Sequence, residues 1–237
     1  MKNNFTDKHI IVTGGTGSLG SSVTKILLNE GAKVSIPCLK ESELDDLTFR
    51  EHENIFIQTG LNLTNEAAAN GFYKSAVQQQ GTLWSSVNIA GGFAMGKVEN
   101  STKQAFMKQL NLNLITCFNA CKSAIPHLKK NGGRILNISS RPGIEPAKGA
   151  GRSAYAVSKA AVAALTQSLS AEVLEDDILV NAIAPSVIDT EQNRKSMPNA
   201  NYSKWPKSEE IAQTILYLIS ENNKLTSGAI IPVYGKG

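Results

Sequence analysis

The chain has 237 residues, 41% of them hydrophobic and 19% charged, with a formal net charge of +4. That is enough chain for one large domain with a substantial core, and a mild charge without a basic run or aromatic-basic stripe argues against a nucleic-acid grip. Cys38, Cys117 and Cys121 are an odd set without zinc-ligand spacing, so they read as reduced cytosolic thiols and no metal site is expected.

The start, Met1 to Lys8, is polar, and no apolar run approaches the length of a membrane span; the expectation is a cytoplasmic chain without signal peptide. Nothing repeats and no low-complexity linker divides the chain, so residues 1–237 read as a single domain. His9 to Thr13 is a β-branched apolar run, as expected of a buried parallel strand. It runs into Gly14, Gly15, Thr16, Gly17, Ser18, Leu19 and Gly20, and a helical pattern follows with Val23, Ile26 and Leu27 before Gly31. Gly15, Gly17 and Gly20 satisfy G-x-G-x-x-G in the strand-turn-helix context where it means dinucleotide binding. Glycine lets backbone N–H groups approach the pyrophosphate, and the helix N-terminus faces its charge.

Lys33 to Cys38 is the second predicted strand. In such folds an acid about 20 residues past the glycines binds the ribose 2′-hydroxyl. Here the stretch reads Ile36-Pro37-Cys38-Leu39-Lys40, with no carboxylate until Glu41. Asn54 to Gln58 is a third strand, followed by Leu61-Asn62-Leu63-Thr64, and Trp84 to Ala90 a fourth, ending at Asn88-Ile89-Ala90-Gly91-Gly92. Small residues there let a cofactor lie against the backbone.

Gln104 to Lys129 has long helical periodicity, interrupted by Asn111 and Asn113. A buried Asn inside a helix is costly unless its amide is bonded, which favours a functional or water-binding Asn113 over a surface one. Arg134 to Ile138, Leu179 to Ala184 and Ala229 to Val233 complete seven predicted strands. Strands alternating with helices imply an α/β, Rossmann-type doubly wound parallel sheet with helices on both faces. Ligands of such sheets bind outside the carboxyl ends of the strands. Gly14–Gly20, Asn88–Gly92, Ser140 and Pro185–Thr190 all follow strands at that edge.

Tyr155 and Lys159 are four apart at the head of a helical pattern through Val162, Leu165, Leu169 and Val173. Positions i and i+4 share a helix face, so a phenol and an ammonium can enter one site. A nearby ammonium favours the phenolate, and the pair could exchange a proton with a hydroxyl or carbonyl oxygen. Tyr-x-x-x-Lys alone is equally the pattern of a solvated helix face.

Taken together, Thr13-Gly14-x-x-Gly17-x-x-Gly20, Asn88-x-Ala90-Gly91, Asn113, Ser140, Tyr155-x-x-x-Lys159, Pro185-x-x-x-x-Thr190 and Leu225-Thr226-x-Gly228 resemble the short-chain dehydrogenase/reductase family over essentially the whole chain. The resemblance implies an NAD(P)-dependent oxidoreductase with a catalytic set of Asn113, Ser140, Tyr155 and Lys159. Tyr155 would exchange the proton, Lys159 would lower its pKa and bind the nicotinamide ribose, Ser140 would bond the substrate oxygen, and Asn113 would hold a relay water. The cofactor would meet the glycine loop, Lys40, Asn62, Leu63, Ala90, Gly91, Tyr155, Lys159, Pro185, Ile188 and Thr190. There are departures. Ser18 stands at the middle glycine of the family loop, Asn62 replaces the acid that orients adenine, Pro185-Ser186 replaces Pro-Gly, and Pro142 to Gly151 is long enough to bulge over the site.

Without an acid after the second strand, and with Lys40 near enough to meet a 2′-phosphate, the cofactor reading leans to NADP over NAD. The resemblance also implies a homotetramer or homodimer, paired through the helices of Asn113 and Tyr155. The segment at about 189–207 corresponds to the family's substrate lid. It is short and polar and resembles that of quinonoid dihydropteridine reductases, pointing to a small polar carbonyl or pterin-like substrate; Arg194 in a structural ion pair is the competing reading there. An alternative is a 3-oxoacyl-thioester reductase, with Arg134, Arg141 and Lys148 as a docking patch for a carrier protein. An alternative of another class is a non-catalytic nucleotide-sensing or structural protein, since fold does not fix function.

Overall fold

The computed structural model describes residues 5–236, so the polar Met1–Asn4 stretch lies outside the described residues. Seven strands, β1 (His9–Thr13), β2 (Lys33–Pro37), β3 (Ile55–Gln58), β4 (Leu83–Asn88), β5 (Gly133–Ile138), β6 (Ile178–Pro185) and β7 (Ile230–Val233), form one sheet in the order β3-β2-β1-β4-β5-β6-β7. Every neighbouring pair is parallel. Strand order reverses between β1 and β4, and the crevice opened there is the ligand position of a doubly wound sheet.

Eight helices connect the strands: α1 (Ser18–Asn29), α2 (Glu66–Gln80), α3 (Lys103–Leu110), α4 (Thr116–Leu128), α5 (Arg141–Ile144), α6 (Ser153–Glu172), α7 (Glu191–Ser196) and α8 (Ser208–Ile219). One core lies between the sheet and α1 with α8, where Val23, Leu27, Ile211 and Ile215 meet Ile10, Val12 and Val34. The other lies under α2, α4 and α6, where Phe72, Ala120 and Val162 meet Ile11, Ile135 and Val180. β1 separates the two. All five of its residues are buried, Ile10 and Val12 facing one core and Ile11 the other. Burying each such side chain is worth roughly 1.5–3 kcal/mol, which is why the strand carries no polar alternation.

The expected strands appear with small differences at their ends. The fourth stops at Asn88, two residues early, because Ile89 and Ala90 turn toward β1: Ala90 N–H donates to Thr13 Oγ1 at 3.2 Å. The long helix expected over 104–129 is two helices joined by a π-helical turn, Asn111–Ile115. Such a turn inserts a residue, and π-bulges concentrate at functional sites. Here it exposes Asn111 and buries Asn113.

His9 opens β1 and gives the fold an acid limit. It is buried, with Nδ1 2.9 Å from the Gly81 carbonyl and Nε2 2.8 Å from Ser35 Oγ. A neutral ring satisfies both, donating from Nδ1 and accepting at Nε2. Burial pushes its pKa down to about 4. Between there and the ordinary value the unfolded chain binds a proton that the folded chain refuses. This stability is therefore complete above about pH 6.5 and lost as pH falls toward 4, to the extent of about 3 kcal/mol. Urea titrations of the wild type and His9→Gln across that range should show a steeper acid decline in the wild type; parallel curves would reject the account.

Candidate active site

The glycine loop joins β1 to α1 at the carboxyl edge of the sheet. Gly17 is the N-cap of α1 and offers no side-chain acceptor to the first-turn N–H groups. At Gly17 an added Cβ would meet only Gly14 O, at 3.5 Å, so that side of the loop is open. Free N–H groups at the start of a long helix, beside an open backbone, fit a dinucleotide pyrophosphate.

Four side chains gather beyond β4 and β5. The Asn113 amide closes on the Gly92 peptide: Oδ1 accepts its N–H at 2.9 Å, and Nδ2 donates to its carbonyl at 3.0 Å and to Ser158 Oγ at 3.0 Å. Ser158 Oγ donates onward to the Tyr155 carbonyl at 2.7 Å. Both amide hydrogens are thereby spent, so a relay water would have to be held by the second Oδ1 lone pair or by a main-chain carbonyl. Gly91 lies between Asn113 and Lys159; a Cβ there would stand 2.6 Å from Asn113 Oδ1 and 3.4 Å from Lys159 Nζ. Lys159 Nζ donates to the Ile138 carbonyl at 2.8 Å, and burial brings its pKa down to about 8.

Ser140 and Ser139 have separate jobs. Ser139 Oγ donates to the Lys159 carbonyl at 2.9 Å and ties β5 to α6. Ser140 caps α5, its Oγ accepting the Gly143 N–H at 3.2 Å, and it lies near enough to the Tyr155 hydroxyl to pull its pKa down. The stretch after it forms α5 and a 3-10 turn at Pro146–Gly149, so it is folded against α6.

The electrostatics of Tyr155 differ from the expectation. Burial raises its pKa, while Ser140 and the charge of Arg152 pull it down. Arg152 thus joins the electrostatic surroundings of the phenol, while the Lys159 ammonium donates to Ile138 O. Phe93 meets the Tyr155 ring edge-on at 5.0 Å, and Arg152 lies 5.9 Å from the Phe93 centroid. Sequence reasoning passed over Arg152, which is the non-helical N-cap of α6, so no helical spacing to Tyr155 marks it.

The other expected cofactor residues line the same edge with unequal freedom. Asn62 Oδ1 is engaged by Thr64 N and Oγ1 at 3.0 and 2.8 Å, and the Leu63 carbonyl accepts from Asn119 at 2.8 Å. Pro185 ends β6, the Ile188 carbonyl accepts from Asn193 Nδ2 at 2.8 Å, and Thr190 caps α7 through the Asn193 N–H at 3.2 Å. Lys40 is exposed, and its N–H donates to Glu43 Oε1 at 3.2 Å. The same carboxylate accepts from Thr16 Oγ1 of the glycine loop at 2.7 Å. An acid thus reaches the loop from within a 3-10 turn, Glu41–Leu44, which a search of the strand end misses.

After β6, residues 189–207 are pinned on themselves. Arg194 forks onto Asp189 at 2.6 and 2.7 Å, Tyr202 packs on Trp205 at 5.0 Å and donates to the Pro198 carbonyl at 2.9 Å. Arg194 is therefore in a structural ion pair. The three cysteines are buried and free, and no described helix is long and apolar enough to cross a membrane. No cluster of potential metal ligands occurs among the described residues.

Comparison with known proteins bears on this arrangement. A family model described as short chain dehydrogenase matches residues 8–201. A 2,5-dichloro-2,5-cyclohexadiene-1,4-diol dehydrogenase of Sphingobium indicum is 30% identical, covering 99% of this chain and 98% of its own length. A 3-oxoacyl-[acyl-carrier-protein] reductase of Thermotoga maritima is 29% identical over 96% of both. Among solved structures, a short-chain type dehydrogenase/reductase from Mycobacterium ulcerans matches the fold with a TM-score of 0.90 at 24% identity, over 98% of this chain and 90% of that one.

Proposed function

The chain belongs to the short-chain dehydrogenase/reductase family and is an NAD(P)-dependent oxidoreductase; from that premise we propose that it interconverts a small carbonyl compound and its alcohol, with Tyr155 as the acid and base. The observation that carries this is the gathering of the Tyr155 hydroxyl and Ser140 at the sheet edge beside Gly91, Asn113 and Lys159. When bound, a reduced nicotinamide supplies the hydride for the carbonyl carbon. Ser140 holds the carbonyl oxygen and Tyr155 gives it a proton. Lys159, held on the Ile138 carbonyl beside Gly91, has ammonium hydrogens left for the nicotinamide ribose. Asn113 fixes the Gly92 peptide and so shapes the floor.

The cofactor's identity turns on Lys40 and Glu43. The sequence leans to NADP(H) through Lys40. The Glu43 carboxylate, fixed by Thr16 and the Lys40 N–H, supports NAD(H): it can accept from a ribose 2′-hydroxyl and would repel a 2′-phosphate. We adopt NAD(H), and Glu43→Gln should then narrow the gap between NADH and NADPH affinity by about tenfold or more. NADPH binding tighter than NADH, weakened by Lys40→Ala, would restore the first reading.

A small substrate is supported by the 189–207 segment, a short lid folded on itself whose one arginine is neutralised by Asp189. The acyl-carrier alternative keeps the likeness to the Thermotoga maritima reductase, but two of its three candidate cations are engaged within the chain. Arg134 sits at the opposite end of β5, bonded to the Gly133 and Asn223 carbonyls at 2.9 Å, and Arg141 pairs with Glu145 at 3.1 Å. A homodimer or homotetramer is supported by Met107, Phe118 and Val157, exposed apolar residues of α3, α4 and α6. Buried free thiols fit a cytoplasmic protein. The test is NADH and NADPH oxidation with small diketones, quinonoid dihydropterin and acetoacetyl thioesters side by side. Turnover confined to the thioester, and lost with Lys148→Glu, would replace this reading by acyl-carrier reduction.

A further inference from the structure

The chain has five arginines, Arg50, Arg134, Arg141, Arg152 and Arg194. Arg50, Arg141 and Arg194 each meet a carboxylate, and Arg134 donates to two carbonyls. Arg152 differs. Its guanidinium has no acid and no hydrogen-bond acceptor among the described residues; its Nε is buried without a partner, as is that of Arg134, but Arg134 has its two terminal nitrogens bonded. Unpaired buried donors are costly and rare in folded proteins, so this one calls for a ligand.

Its place is beside the reacting atoms. Arg152 is the residue before α6, and Gly96 bridges to it while the Gly96 N–H donates to the Gly151 carbonyl at 2.8 Å. That bridge holds the loop carrying Phe93 against the head of α6. Phe93 is 54% exposed and has both Tyr155, at 5.0 Å, and Arg152, at 5.9 Å, against its ring. An apolar platform between a proton donor and an unpaired fork-shaped cation suits a short carbon chain with a carbonyl at one end and an anion at the other.

We propose that Arg152 is the carboxylate-binding residue of the substrate site and that the substrates are small oxo acids and the matching hydroxy acids. This rests on the assignment of Tyr155 and Ser140 to the carbonyl oxygen. In the reducing direction the carbonyl carbon gains hydride, the oxygen gains the Tyr155 proton, the C=O π bond is lost, and the dihydronicotinamide is oxidised. The carboxylate on Arg152 is unchanged throughout.

The experiment compares wild type, Arg152→Gln, Arg152→Lys and Tyr155→Phe. Rates are measured with short 2-oxo and 3-oxo acids and with their methyl esters, which keep the carbonyl and remove the charge. Wild type should prefer the acids. Arg152→Gln should lower kcat/KM for the acids by about 10- to 100-fold, mostly through KM, and lower it for the esters clearly less, by only what the lost charge does to Tyr155; Arg152→Lys should recover part. Calorimetric binding of butanoate to the oxidised-cofactor complex gives a readout without turnover: it should be lost in Arg152→Gln and kept in Tyr155→Phe. Normal turnover by Tyr155→Phe would end the proton-donor assignment while the butanoate result still reports on Arg152. Equal losses on acids and esters, or butanoate binding unchanged in Arg152→Gln, would overturn the proposal.

Discussion

Tyr155→Phe is expected to lower turnover at least about 10²-fold, the lower range for loss of a general acid, while dinucleotide binding stays close to wild type. The change deletes one oxygen. The ring keeps its edge contact with Phe93, and Ser140 keeps the Gly143 N–H through its acceptor lone pair. The group removed is one whose pKa burial has raised, so the wild-type phenol is protonated at neutral pH and serves reduction directly. Reduction should therefore hold its rate through neutral pH and fall only in the alkaline range, where the phenol ionises. Alcohol oxidation, which needs the base, should rise over the same range. Lys159→Ala should behave differently and damage cofactor binding as well as rate, because Nζ stands against the Gly91 floor. Stopped-flow hydride transfer with fluorescence titration of the cofactor separates the two cases. A Tyr155→Phe enzyme with normal turnover would remove the phenol from the mechanism.

The pattern of elements was legible because it rests on local chemistry. β1 announces itself by five residues without a polar alternation, and the glycines mark the turn whatever the tertiary surroundings. Asn113 was legible too, since an amide in an apolar helical stripe must find partners, and it finds the Gly92 peptide. The form of the answer was not visible: a π turn gives one asparagine to the core and its near neighbour to solvent, and nothing in residue type separates them. Charges were least legible. Arg141 and Arg194 pair with acids four and five residues away, the second as one reading of the sequence allowed, whereas Arg134 bonds Asn223, 89 residues on. Glu43 reaches Thr16 across 27 residues through a turn too short to show a period. Cofactor choice turns on such a distant pairing, so the sequence could name the glycine loop without showing the acid beside it.

The glycine loop allows its two requirements, folding and ligand approach, to be separated by two alanines. At Gly20 an added Cβ would fall 2.0 Å from the Gly14 carbonyl oxygen and 2.8 Å from the Gly15 Cα, both backbone atoms that cannot swing away. The first turn of α1 would have to lift off the loop. Gly20→Ala should therefore lose about 3 kcal/mol or more of stability, at or beyond the upper range for overpacking, together with cofactor binding. At Gly17 the added Cβ meets only Gly14 O, at 3.5 Å, an ordinary contact, and its φ of −76° suits any residue. Gly17→Ala should fold with a loss of about 1 kcal/mol or less, as alanine is a weaker N-cap than glycine. Its methyl, however, would stand on the open side of the loop where the phosphates approach, and affinity for the dinucleotide should fall about tenfold or more, an exchange of one charge-assisted N–H contact for a steric block. Urea unfolding and calorimetric titration with NADH, run on both variants, give the two readouts independently. Wild-type affinity in Gly17→Ala would mean that the pyrophosphate does not lie on this loop, and the helix N-terminus would then have no part in holding the cofactor.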